Sequence, residues 1–369
     1  MNIYQTGDSH FGRTSSSKEL NNPYVNFPVH SKAIDTYEAL AYMLNIAKAD
    51  SGEKVLFLTG DQFQDAKVHE IYHFFFKKFL IEALEIFDEV WCIPGNHDVN
   101  SSLNCSMDSY RAMKHPKFKL VMDIPQVLTL KNVSFFVLPY SPQLYRMTVN
   151  QFEKIIKEWV DKDNSTFLIS HFWLTGARMD SDYTVRLTST LEDSIFDKYK
   201  RIFLGHIHKH QILKDKTIYA GSILQNTRGE KESDKGFIIY NLENNTTEFK
   251  QVPQKRQYID VDYDEIETYQ FTKDDIYTII IDIKSQKFSD FHTVKERMKF
   301  FTKECFLVEP EYIDSSRMEL DKRNTKKLEN KHYSNDWSKL FTNYVDTLGN
   351  LPLKTEVISK GLDVIANCS

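Results

Sequence analysis

With 369 residues, 41% hydrophobic and 27% charged, the chain can bury a large core and has the composition of an ordinary globular protein. A formal net charge of -5 excludes a general attraction to polyanions, so a nucleic-acid role would need local basic patches or bound cations. Cys92, Cys105, Cys305 and Cys368 form no CxxC pair, which argues against a zinc ribbon and for a reducing compartment. The opening MNIYQTGDSH reads as a strand rather than a signal peptide, and no apolar run reaches the length of a membrane span, so a cytoplasmic protein is expected.

Along the chain, short apolar runs predict strands at Asn2–Thr6, Lys54–Thr59, Glu89–Ile93, Ser134–Pro139, Thr166–Ser170, Arg201–Leu204, Thr217–Ala220 and Gly236–Asn241. Helical spacing predicts helices at Ser31–Ala49, Val68–Phe87, Asn150–Val160 and Leu191–Lys198. The aromatic run YHFFFKKF, Tyr72–Phe79, reads as a buried helix face. Such alternation implies an α/β domain with its functional groups on the loops after the strands. The character changes near Asn241–Gln257. Tyr277–Gln286 then reads as a strand, Asp290–Lys303 as a helix and Cys305–Ile313 as a strand, together a small appended α+β unit. Glu319–Asn335 is polar and charge-rich, a linker. Beyond it, Trp337, Leu340, Phe341, Tyr344, Val345 and Leu348 form a helical stripe that Gly349-Asn350 ends, and Pro352 starts a second helix. A helix pair after a linker suggests a docking module for a partner; packing on the chain's own domain is the plainer reading.

Several strand ends finish in metal-ligand chemistry: GDSH at Gly7–His10, GDQF at Gly60–Phe63, GNHD at Gly95–Asp98, SHF at Ser170–Phe172 and GHIH at Gly205–His208. Asp, Asn and His supply oxygen and nitrogen donors suited to manganese, iron or zinc. Glycine before a ligand lets the turn approach an ion without a Cβ clash. Each motif alone is weak, since a GD or a lone His occurs by chance in most proteins. The stretch FLGHIHKHQ is ambiguous by itself. Alternation would point His206, His208 and His210 to one face, as a three-histidine site, a fragment of a larger one, or a surface loop.

The ordered set of motifs resembles the calcineurin-like metallophosphoesterases. That resemblance implies an α/β fold in which two β-sheets form a sandwich flanked by helices, carrying a small α+β capping domain and a C-terminal helix pair. It also implies two divalent metal ions. Asp8, His10, Asp61 and His208 would hold one, and Asp61 would bridge to a second held by Asn96, His171 and His206. His97 matches the family's catalytic histidine and Asp98 its orienting carboxylate. His210 has no counterpart and is left to the rim. A bridging hydroxide would attack phosphorus, with manganese the expected activator and magnesium, iron or zinc as alternatives.

Within the family, DSHFGR with Arg13, GDQFQDA, and the run Ile218–Leu242 after GHIH are similar to the SbcD-type DNA repair nucleases, although Ser9 stands where that branch often has Trp or Leu. NYVDTLGNLP resembles the tail of bacteriophage recombination endonuclease subunits. The implied organisation is a nuclease domain at 1–257, a DNA-capping-like domain at 258–318, a linker at 319–335 and an ATPase-docking module at 336–369. The implied function is a two-metal DNA exo/endonuclease subunit of an SbcCD-type recombination and repair complex. It would form a homodimer, act on DNA and bind an SbcC-type coiled-coil ATPase through the C-terminal helices, with no membrane involved. Arg13, Lys18 and Lys114 are candidate phosphate contacts, weighed against plain surface solvation. The rival readings are a small-molecule phosphatase or phosphodiesterase with the same ligands, and a non-catalytic adaptor. His30, His69, His73, His115, His292 and His332 fall outside the motifs and are expected to be structural or exposed.

Overall fold

The computed structural model describes residues 1–315 except 101, 146, 181–192 and 286. The chain divides into two compact units, 1–280 with 291–311, and 281–290 with 312–369. The expected linker at 319–335 and helix pair at 336–369 lie outside the described residues.

The first unit is a two-sheet sandwich. One six-stranded sheet has the order β14-β13-β1-β4-β5-β6, where β1 is Asn2–Thr6, β4 Lys54–Thr59, β5 Glu89–Ile93, β6 Phe118–Leu120, β13 Gly236–Asn241 and β14 Thr246–Gln251. The other has the order β11-β12-β10-β9-β8-β7, where β7 is Gln126–Leu130, β8 Val133–Leu138, β9 Phe167–His171, β10 Arg201–Gly205, β11 Gln211–Leu213 and β12 Thr217–Tyr219. A short hairpin of β2 (Glu19–Leu20) and β3 (Val29–His30) precedes helix α1, Ser31–Ala49.

Alternation along the strands builds the layers, because successive side chains point to opposite faces. In β4, Val55 and Phe57 join the cluster between the sheets, while Leu56 and Leu58 join the one beneath α1 and α2 (Glu70–Ile86). All six residues of β4 are therefore buried, and the strand reads as one continuous apolar run. After β8 come the single turn α3, Pro142–Tyr145, and the longer α4, Val149–Lys162. In β9, Phe167 and Ile169 face the other sheet, and Leu168 faces the outer cluster with Ile156 and Val160 of α4. The YHFFFKKF run behaves as its periodicity predicts. Phe75, Phe76 and Phe79 are fully buried, and only Phe74 among its phenylalanines is substantially exposed.

Strands β1, β4 and β5 run parallel, as do β8, β9 and β10. Their C-terminal ends therefore deliver loops to one edge of each sheet, the place where α/β sheets carry their chemistry. The polar segment after residue 241 still belongs to the sandwich. Thr246–Gln251 forms β14 and pairs with β13 from Asn241↔Thr246 to Gly236↔Gln251, so the sandwich extends into that polar segment. An edge strand with a half-exposed face carries few apolar residues, which hides it from periodicity.

A three-stranded sheet of order β15-β16-β17 follows, where β15 is Tyr258–Asp262, β16 Ile276–Asp282 and β17 Leu307–Ile313. Helix α5, Phe291–Phe301, buries Val294 and Met298. Strand β15 pairs parallel with β16 and has no counterpart in the sequence reading, because YIDVD is short and half polar. In the second unit the described residues make a turn in which Asp282 Oδ1 accepts from the Lys284 and Ser315 amides at 2.9 and 3.3 Å. No helix among the described residues is long and apolar enough to cross a membrane.

Candidate metal centre

The loops after β1, β4, β5, β9 and β10 meet at one point. Four of the residues they carry, Asp8, His10, Asp61 and His206, adopt positive φ of 52°, 48°, 51° and 89°. Left-handed backbone at non-glycine residues is strained and persists only where surrounding structure fixes it. Here the fixing bonds are visible: the His206 amide donates to both Asp8 carboxylate oxygens at 3.0 and 3.1 Å, and the His97 amide donates to Asp61 Oδ1 at 2.8 Å. Glycines supply the clearance. A Cβ on Gly60, which sits at φ +98°, would lie 2.2 Å from His171 Nδ1, and one on Gly95 would lie 2.1 Å from Asp61 Oδ1.

Two groups of donors carry the expected ligands, and two more overlap them, His10 and Asp61 with His97, and His208 with Asp180 and Glu230. Asp8, His10 and His208 form one, with His10 Nε2 3.0 Å from His208 Nε2 and Asp8 Oδ1 3.8 Å from the latter. Asp61, His171 and His206 form the other, and Asn96 Oδ1 joins it 3.1 Å from His171 Nε2, which is itself 3.1 Å from His206 Nδ1. Asp61 Oδ2 lies 3.3 Å from His171 Nε2 and 3.9 Å from His10 Nε2, so this carboxylate stands between the groups. All seven side chains named in the sequence as metal ligands are brought together.

The site's electrostatics match a cation site. Burial holds the His10 and His206 imidazoles well below their ordinary value, so both keep open lone pairs. Burial also opposes charge on His171, yet the adjacent Asp61 carboxylate lifts it to about 9, and His171 in turn helps hold Asp61 below the usual carboxylate range. Two imidazole Nε2 atoms facing each other at 3.0 Å repel unless a proton or a cation lies between them. His171 Nδ1 donates to the Thr59 carbonyl at 2.7 Å, which turns Nε2 toward Asp61 and the centre, where a cation would take the place of its proton. The residues present fit divalent ions held by oxygen and imidazole donors.

His97 stands beside the first group, its ring edge-on to His10 at 4.8 Å. Its orientation corrects one expectation. The bond that fixes the ring is from Nδ1 to the Gln64 carbonyl, 2.9 Å, rather than a contact with Asp98. Asp98 is fully buried and is occupied elsewhere: it accepts from the Gln62, Phe63 and Gly95 amides at 3.2, 3.0 and 2.9 Å and from Ser106 Oγ at 2.9 Å. It therefore ties the GDQF loop to the GNHD loop. Burial, with the Asp61 charge nearby, pushes its carboxyl up to about 6.

His210 also differs from the rim position expected of it. Its ring stacks on Phe249 of β14 at 4.2 Å, and its Nδ1 donates to the Tyr219 carbonyl at 2.9 Å, so it packs the loop down. Among the candidate phosphate contacts, Arg13 lines a 390 Å³ cleft over the site with Asn96, His97, Trp173 and His206, and its guanidinium donates to Gln64 Oε1 at 3.2 Å. Lys18 instead lies over the Phe306 ring, 5.3 Å from its centre, and Lys114 is exposed on the loop before β6, outside that cleft.

Sequence reasoning missed the layer that supports the ligands. Glu230, almost fully buried, accepts from His208 Nδ1 at 3.0 Å and from Lys235 Nζ at 2.8 Å. Burial alone would raise its carboxyl, but these two partners hold it well below its ordinary value. In GEKESDK a carboxylate looks like part of a solvated charge run, and its histidine partner lies 22 residues away, so no spacing signal marks it. Trp173, ring 4.7 Å from His206, was missed as well; a Trp two residues past SH is the only hint the sequence offers.

Residues 1–210 match the calcineurin-like phosphoesterase family. Among curated proteins, the chain is 22% identical over 276 residues to the D subunit of nuclease SbcCD from Staphylococcus saprophyticus, covering 69% of each. A protein of the same name from Staphylococcus epidermidis is 25% identical over 170 residues, covering 42% of this chain and 46% of that protein. A solved structure of a hypothetical protein from Thermus thermophilus overlaps 69% of this chain and all of its own at 8% identity, with a TM-score of 0.37. The chain belongs to the calcineurin-like phosphoesterase family, and its sequence kinship within it is to the SbcD type.

Proposed function

We propose that this protein is a DNA nuclease that uses two divalent metal ions, most naturally manganese, and serves as the nuclease subunit of an SbcCD-type recombination and repair complex. The observation that carries the reading is the convergence of Asp8, His10, Asp61, Asn96, His171, His206 and His208, with Asp61 between the two donor groups. When bound, such ions supply Lewis acidity to a phosphodiester and lower the pKa of a water between them. The chain's residues do the remainder. Asp61, standing between the two donor groups, would serve both ions, and its Oδ1 accepts from the His97 amide. Asp8 fixes the His206 turn. His97, with Nδ1 committed to the Gln64 carbonyl, presents Nε2 to stabilise charge on the phosphorane and to protonate the leaving oxygen. Arg13 at the cleft is suited to a flanking phosphate.

The relatives' name, which makes them part of SbcCD, supports a complex with an SbcC-type ATPase, and the C-terminal stripe at 336–369 is the segment suited to bind it. In this reading residues 258–318 form the capping domain that guides DNA, and the protein acts as a homodimer. Purified protein incubated with linear DNA and manganese, with and without the ATPase, tests the proposal. Degradation that EDTA abolishes supports it. Intact DNA under both conditions, with turnover of a simple phosphomonoester, overturns it.

A further inference from the structure

The loop between β12 and β13 faces two ways. Its Glu230 holds His208 Nδ1 at 3.0 Å, and Lys235, buried and 2.8 Å from the same carboxylate, also donates to the His208 carbonyl at 2.9 Å. Two residues before Glu230, on the same short 3-10 helix, Arg228 grips Asp260 of β15 with two parallel bonds of 2.7 and 2.9 Å. Its third nitrogen reaches Glu311 of β17, and Lys231 adds a further bond to Asp260. A forked guanidinium–carboxylate pair fixes direction as well as distance. Further bonds stiffen the path: the Asn226 amide, Ser222 Oγ and Thr227 Oγ1 donate to Glu230 at 3.1, 3.2 and 3.2 Å.

We propose that Arg228 and Glu230 form a positioning relay through which the three-stranded sheet sets the orientation of His208. The inference rests on the reading of His208 as a metal ligand and goes beyond it by making the ligand's aim depend on a clamp outside the site. Arg228 lies outside the cleft over the site, and Glu230, almost fully buried, stands behind His208 in its wall. A displaced β15 pulls on Asp260, Asp260 on the Arg228–Glu230 turn, and Glu230 on the Nδ1 side of His208, whose Nε2 faces His10. A ligand histidine whose outer hydrogen bond is lost binds its ion less well, because ring and tautomer are no longer fixed.

Manganese binding by the full chain, followed by calorimetry, tests the relay without any DNA. Glu230→Gln should weaken one manganese site by about 10–100-fold. Arg228→Ala should weaken the same site by about 2–30-fold, while the second site keeps its affinity. In the Glu230→Gln background, Arg228→Ala should add little, since the relay is already cut. Arg228→Lys, which keeps the charge and loses the fork, should fall between wild type and Arg228→Ala. Wild-type manganese binding in a folded Arg228→Ala variant overturns the relay and leaves the metal centre standing. Fully additive effects in the double variant overturn it too. A wild-type protein that bound no manganese would overturn the metal-centre reading and the relay with it.

Discussion

In the proposed mechanism His97 and Asp61 divide the labour of the site at the scale of single residues. His97 borders His10 and Asp61 closely enough to share a group with them, but its ring is held by the Gln64 carbonyl. His97→Ala should therefore leave manganese affinity within about threefold while lowering turnover by about 10²–10⁴-fold, the usual reach of a general acid. Calorimetry and a phosphodiester assay on the same preparation separate the two effects; a parallel loss of both would make His97 a ligand. Asp98 acts differently, through three backbone amides and a serine hydroxyl. Asp98→Ala leaves those donors buried and unpaired, at a cost of about 3 kcal/mol or more, which urea unfolding measures. The candidate donors were legible because each is an Asp, Asn or His at the end of a strand, and the five strand ends follow the family's order. Glu230 and Gln64 were not. One supports through a side chain far away in sequence, the other through a main-chain oxygen that any residue could supply.

Elements determine whether those residues can meet. Gly60 lies where β4 turns toward the site, and its missing Cβ leaves room for the His171 ring. Gly60→Ala should destabilise the protein by about 1–3 kcal/mol and weaken manganese binding, because a methyl group 2.2 Å from Nδ1 must push the ring aside. Gly176→Ala is the control: φ is +91° there, but a Cβ meets nothing within 4 Å, so only backbone strain is added. Melting temperature and calorimetry of the two variants distinguish ring displacement from strain. Helix α1 carries a further testable feature. Lys32 is buried beside Tyr258, donates to the Gln225 carbonyl at 2.6 Å, and is pushed down to about 8 by that burial. The unfolded chain binds its proton up to about pH 10.4, so the penalty is full below pH 8 and fades as pH rises toward that value. The stability of wild type relative to Lys32→Met should improve by about 2 kcal/mol between pH 7.5 and 9.5, as read by urea unfolding at each pH. A gap that stays constant would mean Lys32 is not desolvated. Strands β4, β5 and β13 stood out in the sequence to the residue because both faces are covered, whereas β14 and β15 did not, being half polar.

For the whole molecule, the sandwich brings loops from two sheets to one centre, and no local pattern announces that meeting. FLGHIHKHQ illustrates the difference. Alternation suggested three equivalent histidines, but the fold sends His206 to one donor group, His208 to the other, and His210 under Phe249. Family order grouped the seven candidate donors before any contact was known; the bonds from Asp260 through the Arg228–Glu230 turn to His208 became visible only in three dimensions. A protein truncated after Asn335 should keep its manganese binding and lose co-purification with an SbcC-type ATPase; retention of the partner would remove the docking role from 336–369.

Electron paramagnetic resonance of the manganese-saturated protein reads whether a pair of divalent ions shares Asp61. Two ions per chain with an exchange-coupled spectrum are expected, which Asp61→Asn converts to uncoupled or missing manganese. A single ion per chain, or two ions with independent spectra in the wild-type protein, would contradict it.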